Sequence, residues 1–285
     1  MDAGQLKAWI GRTETLTDHA DRGVYARLAA LLDYPAPDHG FAPAGTMPPL
    51  GHWLNFLPTA RQSEIDRDGH PFRGGFLPPV PLPRRMWAGG RLTFVRPAAD
   101  SGRLTRRSTI LDVVEKTGSS GRMVFVTVHH EISDEAGLAL SEEQDIVYRD
   151  MPAEGSTPRP APAPEKPRMP DATRSVTPDP VLLFRYSALT FNAHRIHYDR
   201  DYCREVEGYP GLVVHGPLIA TLLLDHFRRE TPGVEIADFS FRAQRPLFDG
   251  SPFLLCMART GTGADLWSED SEGHVTMTAR LEVRP

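Results

Sequence analysis

The sequence predicts an α+β protein built from two similar halves, on three observations. Apolar helix-like patterns lead into runs of alternating β-branched strands, and this order occurs twice. A Pro/Ala-rich stretch without amphipathic pattern separates the two runs. The length of 285 residues suits two cores of roughly 140 residues each. The expected division is 1–151, a linker or surface strap over 152–178, and 179–285.

Residues 3–34 carry helical patterns. Trp9 and Ile10 are apolar, and Val24-Tyr-Ala-Arg-Leu-Ala-Ala-Leu-Leu32 repeats apolar positions three and four apart. Asp33-Tyr34-Pro35 ends the run, because a residue before proline is pushed out of helical geometry. Pro48-Pro-Leu-Gly-His-Trp-Leu-Asn-Phe-Leu57 then reads as a short helix opened by proline. Arg84-Arg-Met-Trp-Ala-Gly-Gly90 reads as a basic turn around a core tryptophan, although Arg85 and Trp87 are also candidates to touch a ligand.

From Arg91 the period changes to two. Leu92-Thr-Phe-Val-Arg96, Ser108-Thr-Ile-Leu-Asp-Val-Val-Glu115, Arg122-Met-Val-Phe-Val-Thr-Val-His-His-Glu131 and Glu143-Gln-Asp-Ile-Val-Tyr-Arg149 read as strands of an antiparallel meander, split by the turns 118–121 and 134–137. The second half repeats the order. A strand is expected over 181–189, then a loop bearing titratable groups, a helix over 217–229, and strands near 235–248, 251–260, 263–269 and 273–283.

Composition excludes several classes. A formal charge of −5 and a pI near 6.1 argue against nucleic-acid binding. No apolar run reaches membrane-spanning length, and the first residues lack a basic region followed by an apolar core. Cys203 and Cys256 fit no metal or redox spacing and suggest structural thiols in a reducing compartment, so a cytoplasmic location is expected.

The chemistry concentrates between Phe184 and Pro217. Asn192, His194, Arg195, His197 and Asp199 lie close together in sequence, and a glycine-bearing turn then leads to His215-Gly216-Pro217. Pro217 suits a first helical position, where its missing N–H has no partner anyway. Free N–H groups at such a helix start can receive an oxyanion or a polarised carbonyl. Titratable groups beside a helix mouth suggest chemistry at a carbonyl. Two alternatives stand beside this reading: loop residues satisfied by neighbours, and a metal site from His194, His197 and Asp199, which no His-Glu-x-x-His helix or cysteine pair supports.

Leu189-Thr-Phe-Asn-Ala-His-Arg-Ile-His-Tyr-Asp199 with Gly211-Leu-Val-Val-His-Gly216 resembles the hydratase motif of MaoC-like hot dog proteins. It is closest to their subgroup of 3-hydroxyacyl-thioester dehydratases type 2 and mesaconyl-C4-CoA hydratases. The resemblance implies a double hot dog fold, with two antiparallel sheets each wrapped on a central helix. The wider family's loop runs Gly-Asp-x-Asn-Pro-x-His-x-Asp. His197 falls on its catalytic histidine and Asp199 on its trailing acid; Asn192 replaces its catalytic aspartate, and His194 and Arg195 replace its asparagine and proline.

The implied activity is reversible hydration of an enoyl-CoA thioester, foremost mesaconyl-C4-CoA (3-methylfumaryl-CoA) to citramalyl-CoA. The alternatives are a 3-hydroxyacyl-thioester dehydratase of fatty acid synthesis, a hot dog thioesterase, and a non-catalytic acyl-binding module. Such hydration needs a base for water, a proton for the α-carbon and donors for the enolate oxygen. His197 suits the base, Asn192 can hold water or thioester, and Asp199 either fixes the His197 tautomer or caps the loop. Gly216 is the first choice for the oxyanion amide, with Val214 or Gly211 as alternatives, and His215 is read as the anchor of the turn. Arg195 is expected to bind a second carboxylate or a coenzyme A phosphate, unless it is a surface residue. No metal or cofactor is expected. The expected partner is an acyl-CoA thioester, with neither nucleic acid nor membrane, and assembly as a homodimer stands open.

Overall fold

The computed structural model describes residues 3–35, 40–118, 121–150 and 169–284. The first half contains α1 (Ala3–Lys7), β1 (Thr13–Ala20), α2 (Arg22–Leu31), β2 (Arg84–Phe94), β3 (Gly102–Gly118), β4 (Gly121–Asp134) and β5 (Gly137–Arg149). The second contains β6 (Ala172–Val176), α3 (Pro180–Leu189), α4 (Arg200–Glu205), α5 (Gly216–Glu230), β7 (Ile236–Ala243), β8 (Phe253–Arg259), β9 (Gly263–Glu269) and β10 (Val275–Val283). All ten strands form one antiparallel sheet in the order β1-β3-β4-β5-β2-β7-β10-β9-β8-β6. The halves meet where β2 pairs with β7, so the expected two sheets are continuous.

Helix α5 is the core of the second half. Every residue from Leu218 to Phe227 is buried, the pattern of a helix enclosed on all sides. It packs on β2, β8, β9 and β10, and burying each of its leucines contributes roughly 1.5–3 kcal/mol. Its buried Asp225 accepts from the Tyr34 hydroxyl at 2.8 Å and from Arg174 and Arg229 at 2.7 and 2.9 Å. That carboxylate ties the first half and β6 to the helix.

Four expectations are corrected. Residues 181–189 are helical, not a strand: Asp179 caps Leu182 N–H at 2.7 Å, Pro180 opens the turn, and Leu183, Tyr186 and Ser187 share one buried face. The helical reading of 3–34 hides β1, whose Thr-Glu-Thr-Leu-Thr run pairs with β3. Pro48–Leu57 forms only a 3-10 turn, Gly51–Leu54, because Leu50 and Phe56 adopt φ of 65° and 55° on either side of it. Among the described residues the first half therefore has no counterpart of α5. Finally, 84–90 is the start of β2 rather than a turn. Of the proline-rich stretch, residues 151–168 lie outside the described residues, and its end is edge strand β6, paired with β8.

Gly89 and Gly90 read as turn residues because their second partner strand is distant in sequence. A Cβ on Gly89 would lie 2.6 Å from Phe241 O, and one on Gly90 2.9 Å from the Phe241 ring. Close approach of β7 requires glycine there. Gly89→Ala should therefore lower stability by about 1–3 kcal/mol, the usual overpacking cost. A denaturation midpoint equal to wild type would show that the seam has slack.

Candidate active site

The hydratase-like loop is built by local hydrogen bonds. Helix α3 ends at Thr190, and Phe191 takes φ 46°, left-handed for a non-glycine residue. Asn192 N–H donates to Ser187 O at 2.9 Å, and its Oδ1 accepts from His194 N–H at 3.0 Å. This Asx turn leaves the Asn192 amide nitrogen as its free donor. Arg195–His197 forms one 3-10 turn, after which Asp199 caps α4 by accepting from Tyr202 N–H at 3.0 Å.

His197 is buried, and its Nδ1 lies 2.7 Å from Val213 O. A carbonyl only accepts, so Nδ1 carries the proton and Nε2 keeps its lone pair. Asp199 does not set this tautomer: its carboxylate is held by the Tyr202 amide and by Arg195, at 3.0 and 2.7 Å. Arg195 is likewise not free for a ligand carboxylate. Besides Asp199 it donates to Arg67 O at 3.2 Å and lies 4.2 Å over the Tyr202 ring. The i,i+4 spacing of Arg195 and Asp199 makes this pair.

His215 stacks on His197 with ring centroids 3.6 Å apart and bonds Ser187 Oγ through Nε2 at 2.8 Å. It thereby ties the turn before α5 to α3, and its buried Nδ1 has no partner among the described residues. Gly216 starts α5 without a side-chain cap and lies beside Trp87 O. Its amide has no partner among the described residues, whereas Val214 N–H is committed to Leu247 O at 2.8 Å. Val214 is thereby removed as an oxyanion donor. Gly211 lies where a Cβ would sit 2.7 Å from Asp249 Oδ1, which binds Arg200, so packing explains the glycine.

A second loop, invisible to local patterns, reaches His194 from the first half. Asp68 Oδ2 lies 3.1 Å from His70 Nδ1, and the His70 and His194 rings are 4.1 Å apart. Gly69 between them has φ 92°, and a Cβ there would sit 1.7 Å from Ala193 O, so only glycine allows the docking. Arg195 N–H completes it by donating to Asp68 O at 2.9 Å. Asp68, His70 and His194 are also the one set among the described residues that could offer three ligands to a metal ion. The earlier candidate set with Asp199 is not assembled. Burial lowers the His70 and His194 pKa values, and the positive charge of Arg85 on β2 adds to the effect.

A cavity of about 220 Å³ opens beside the start of α5, walled by Trp53, Trp87, Tyr186 and Pro217. Trp87 meets Trp53 edge-on at 4.9 Å and donates to Gly89 O at 2.9 Å. At its polar end Glu142 accepts from Trp53 Nε1 at 3.0 Å and pairs with His52 Nε2 at 3.0 Å. Burial pushes the Glu142 carboxyl up, but these partners outweigh it and hold it below the usual range. The alternation of β5 places Glu142 inward, a signal the sequence carries; its pairing with residue 52 it does not.

Burial lowers His197 to about 4, and lowers His194 and His215 for the same reason. These rings are neutral near pH 7, as a general base must be.

The model of the hydroxyacyl-thioester dehydratase type 2 family matches residues 50–249. The chain is 48% identical over 286 residues to mesaconyl-C4-CoA hydratase of Chloroflexus aurantiacus, covering 99% of each. It is 28% identical over 247 residues to the mitochondrial hydroxyacyl-thioester dehydratase type 2 of Schizosaccharomyces pombe, covering 78% of this chain and 80% of that one. In fold it resembles a MaoC-like dehydratase from Phytophthora capsici, with TM-score 0.71, 14% identity and coverage of 100% and 99%. A Mycobacterium tuberculosis protein described as having a double hotdog fold aligns with TM-score 0.55, 14% identity and coverage of 96% of both chains.

The neutral imidazoles set a pH dependence. Below about pH 6.5 the unfolded histidines gain protons that the buried ones, with lowered pKa values, do not. The unfolded state then binds more protons, so stability falls as pH drops from about 6.5 toward 4. For His197 alone the loss should be on the order of 1–2 kcal/mol at pH 5. Urea midpoints at pH 7 and 5 check this, and the slope should shrink in His197→Gln; no difference between the two pH values would contradict burial of neutral rings.

Proposed function

The chain belongs to the hydroxyacyl-thioester dehydratase type 2 family, and from that premise we propose that it hydrates mesaconyl-C4-CoA reversibly to citramalyl-CoA. It is a hydro-lyase with the double hot dog fold. The full-length likeness to the Chloroflexus hydratase carries the choice of substrate, and the His197–Val213 hydrogen bond supports the assignment of the base.

In the proposed reaction His197 Nε2 takes a proton from water, and the oxygen bonds to the β-carbon, which bears the methyl group and the distal carboxylate. Electron density moves onto the thioester oxygen as an enolate. The Gly216 amide at the positive end of α5 donates to that oxygen. The imidazolium returns the proton to the α-carbon as the enolate collapses, so one water is consumed and His197 is regenerated. Asn192 cannot transfer a proton, and its amide nitrogen positions water or thioester. Asp199 and Arg195 act through the loop, as a cap and a brace on the 3-10 turn that carries His197. A 3-hydroxyacyl-thioester dehydratase of fatty acid synthesis is the second reading, supported by the fission-yeast relative.

No helix among the described residues is long and apolar enough to cross a membrane. Both cysteines are free and buried, in keeping with the reducing, cytoplasmic setting proposed.

His197→Gln, which keeps volume and polarity, should lower kcat for mesaconyl-C4-CoA by about a hundredfold or more, the scale for one acid–base group. A spectrophotometric assay of enoyl-thioester absorbance reads this directly. A folded variant within a few-fold of wild type would reject His197 as the base.

A further inference from the structure

Arg106 is a half-buried cation with no hydrogen bond or ion pair to a side chain among the described residues. It lies on β3, in register with Ile132 of β4, and lines the cavity that Pro217 closes at the start of α5. Its Nε is buried and unsatisfied, and its guanidinium carbon lies over the Phe56 ring, 5.0 Å from the ring centre. Arginines elsewhere on this sheet and loop system hold carboxylates: Arg91 holds Asp145, Arg174 and Arg229 hold Asp225, and Arg195 holds Asp199.

A second orphan shares the cavity. His52 Nδ1 is buried without a partner, on an element unrelated in sequence to β3. Glu142, the carboxylate in the cavity lining, bonds His52 and Trp53, and no bond joins it to Arg106. Burial lowers the Arg106 pKa, against the pull of Glu14, Glu142 and Asp18. Arginine stays charged in proteins all the same, and its planar fork matches a carboxylate bidentately. An unpaired buried charge is costly unless a ligand completes it.

We propose that Arg106 anchors the distal carboxylate of a short dicarboxylyl thioester, making this cavity the pocket that selects the acyl group. The assignment rests on the hydratase reading above and moves the carboxylate anchor from Arg195 to Arg106. A cavity of about 220 Å³ accommodates a branched, carboxylated acyl group of this size.

Arg106→Met should lower kcat/KM for mesaconyl-C4-CoA at least tenfold more than for crotonyl-CoA, which has no distal carboxylate, because an unpaired buried polar partner is what such sites reject. Arg106→Lys, which keeps the charge but loses the fork, should fall between. Equal losses on both substrates would overturn the proposal. Wild-type protein gives a test independent of folding variants: it should prefer mesaconyl-C4-CoA to its distal carboxamide analogue by about tenfold or more, and equal use would overturn the anchor. Binding of mesaconyl-C4-CoA, read from the fluorescence of Trp53 and Trp87 in the cavity wall, separates this proposal from the reaction itself. Binding without turnover, weakened at least about tenfold in Arg106→Met, would reject the hydratase reading and leave the anchor standing. Binding unaltered by the substitution would reject the anchor whatever the turnover.

Discussion

The pairing of β2 with β7 is the constraint on which the site depends. It joins two antiparallel meanders into one sheet, and it holds Trp87 beside the first residue of α5. Gly89 and Gly90 make the approach possible by presenting no side chain to Phe241. Because the first half has no helix equivalent to α5, space remains above its strands, and the cavity lined by Trp53, Trp87 and Arg106 occupies it. One half supplies the reactive loop and the helix mouth, and the other shapes the volume beside them.

Within that frame a backbone carbonyl does what a carboxylate does in many histidine sites. Val213 O fixes the Nδ1–H tautomer of His197, and burial keeps the ring neutral. Stacking on His215, itself tied to Ser187, restrains the plane of the ring. Asn192 therefore need not orient the histidine, and the absence of an acid at that position is compatible with a working base. A loop of the first half brings the Asp68 carboxylate toward this histidine cluster, bonded to His70.

The sequence made the second half's long helix, most strands and the reactive loop legible, because these are encoded by periodicity and by a compact motif. Pro217 and the apolar run after it located α5; the alternation from Arg122 to His130 located β4. What it hid was non-local. Residues 181–189 are apolar in a way that suits a strand or a buried helix, and the Asp179 cap decided the matter. The Gly89-Gly90 pair reads as a turn unless β7 is known to lie against it. In the site, His197 stood out through the resemblance to the hydratase motif and His215 and Gly216 through the helix start they precede, but the i,i+4 partnership that engages Arg195 depends on the helical turn around it. Asp68, His70, His52, Glu142 and Arg106 come from distant loops and strands, and only folding assembles them.

The proposed chemistry turns on His197 presenting a neutral imidazole with a free Nε2. Nitrogen-15 NMR of the imidazole rings, assigned through the loss of one signal set in His197→Gln, measures both tautomer and charge. His197 should be the Nδ1–H tautomer at pH 7 and stay neutral well below pH 6, in line with a pKa lowered to about 4 by burial. An Nε2–H tautomer, or an imidazolium at neutral pH, would contradict it.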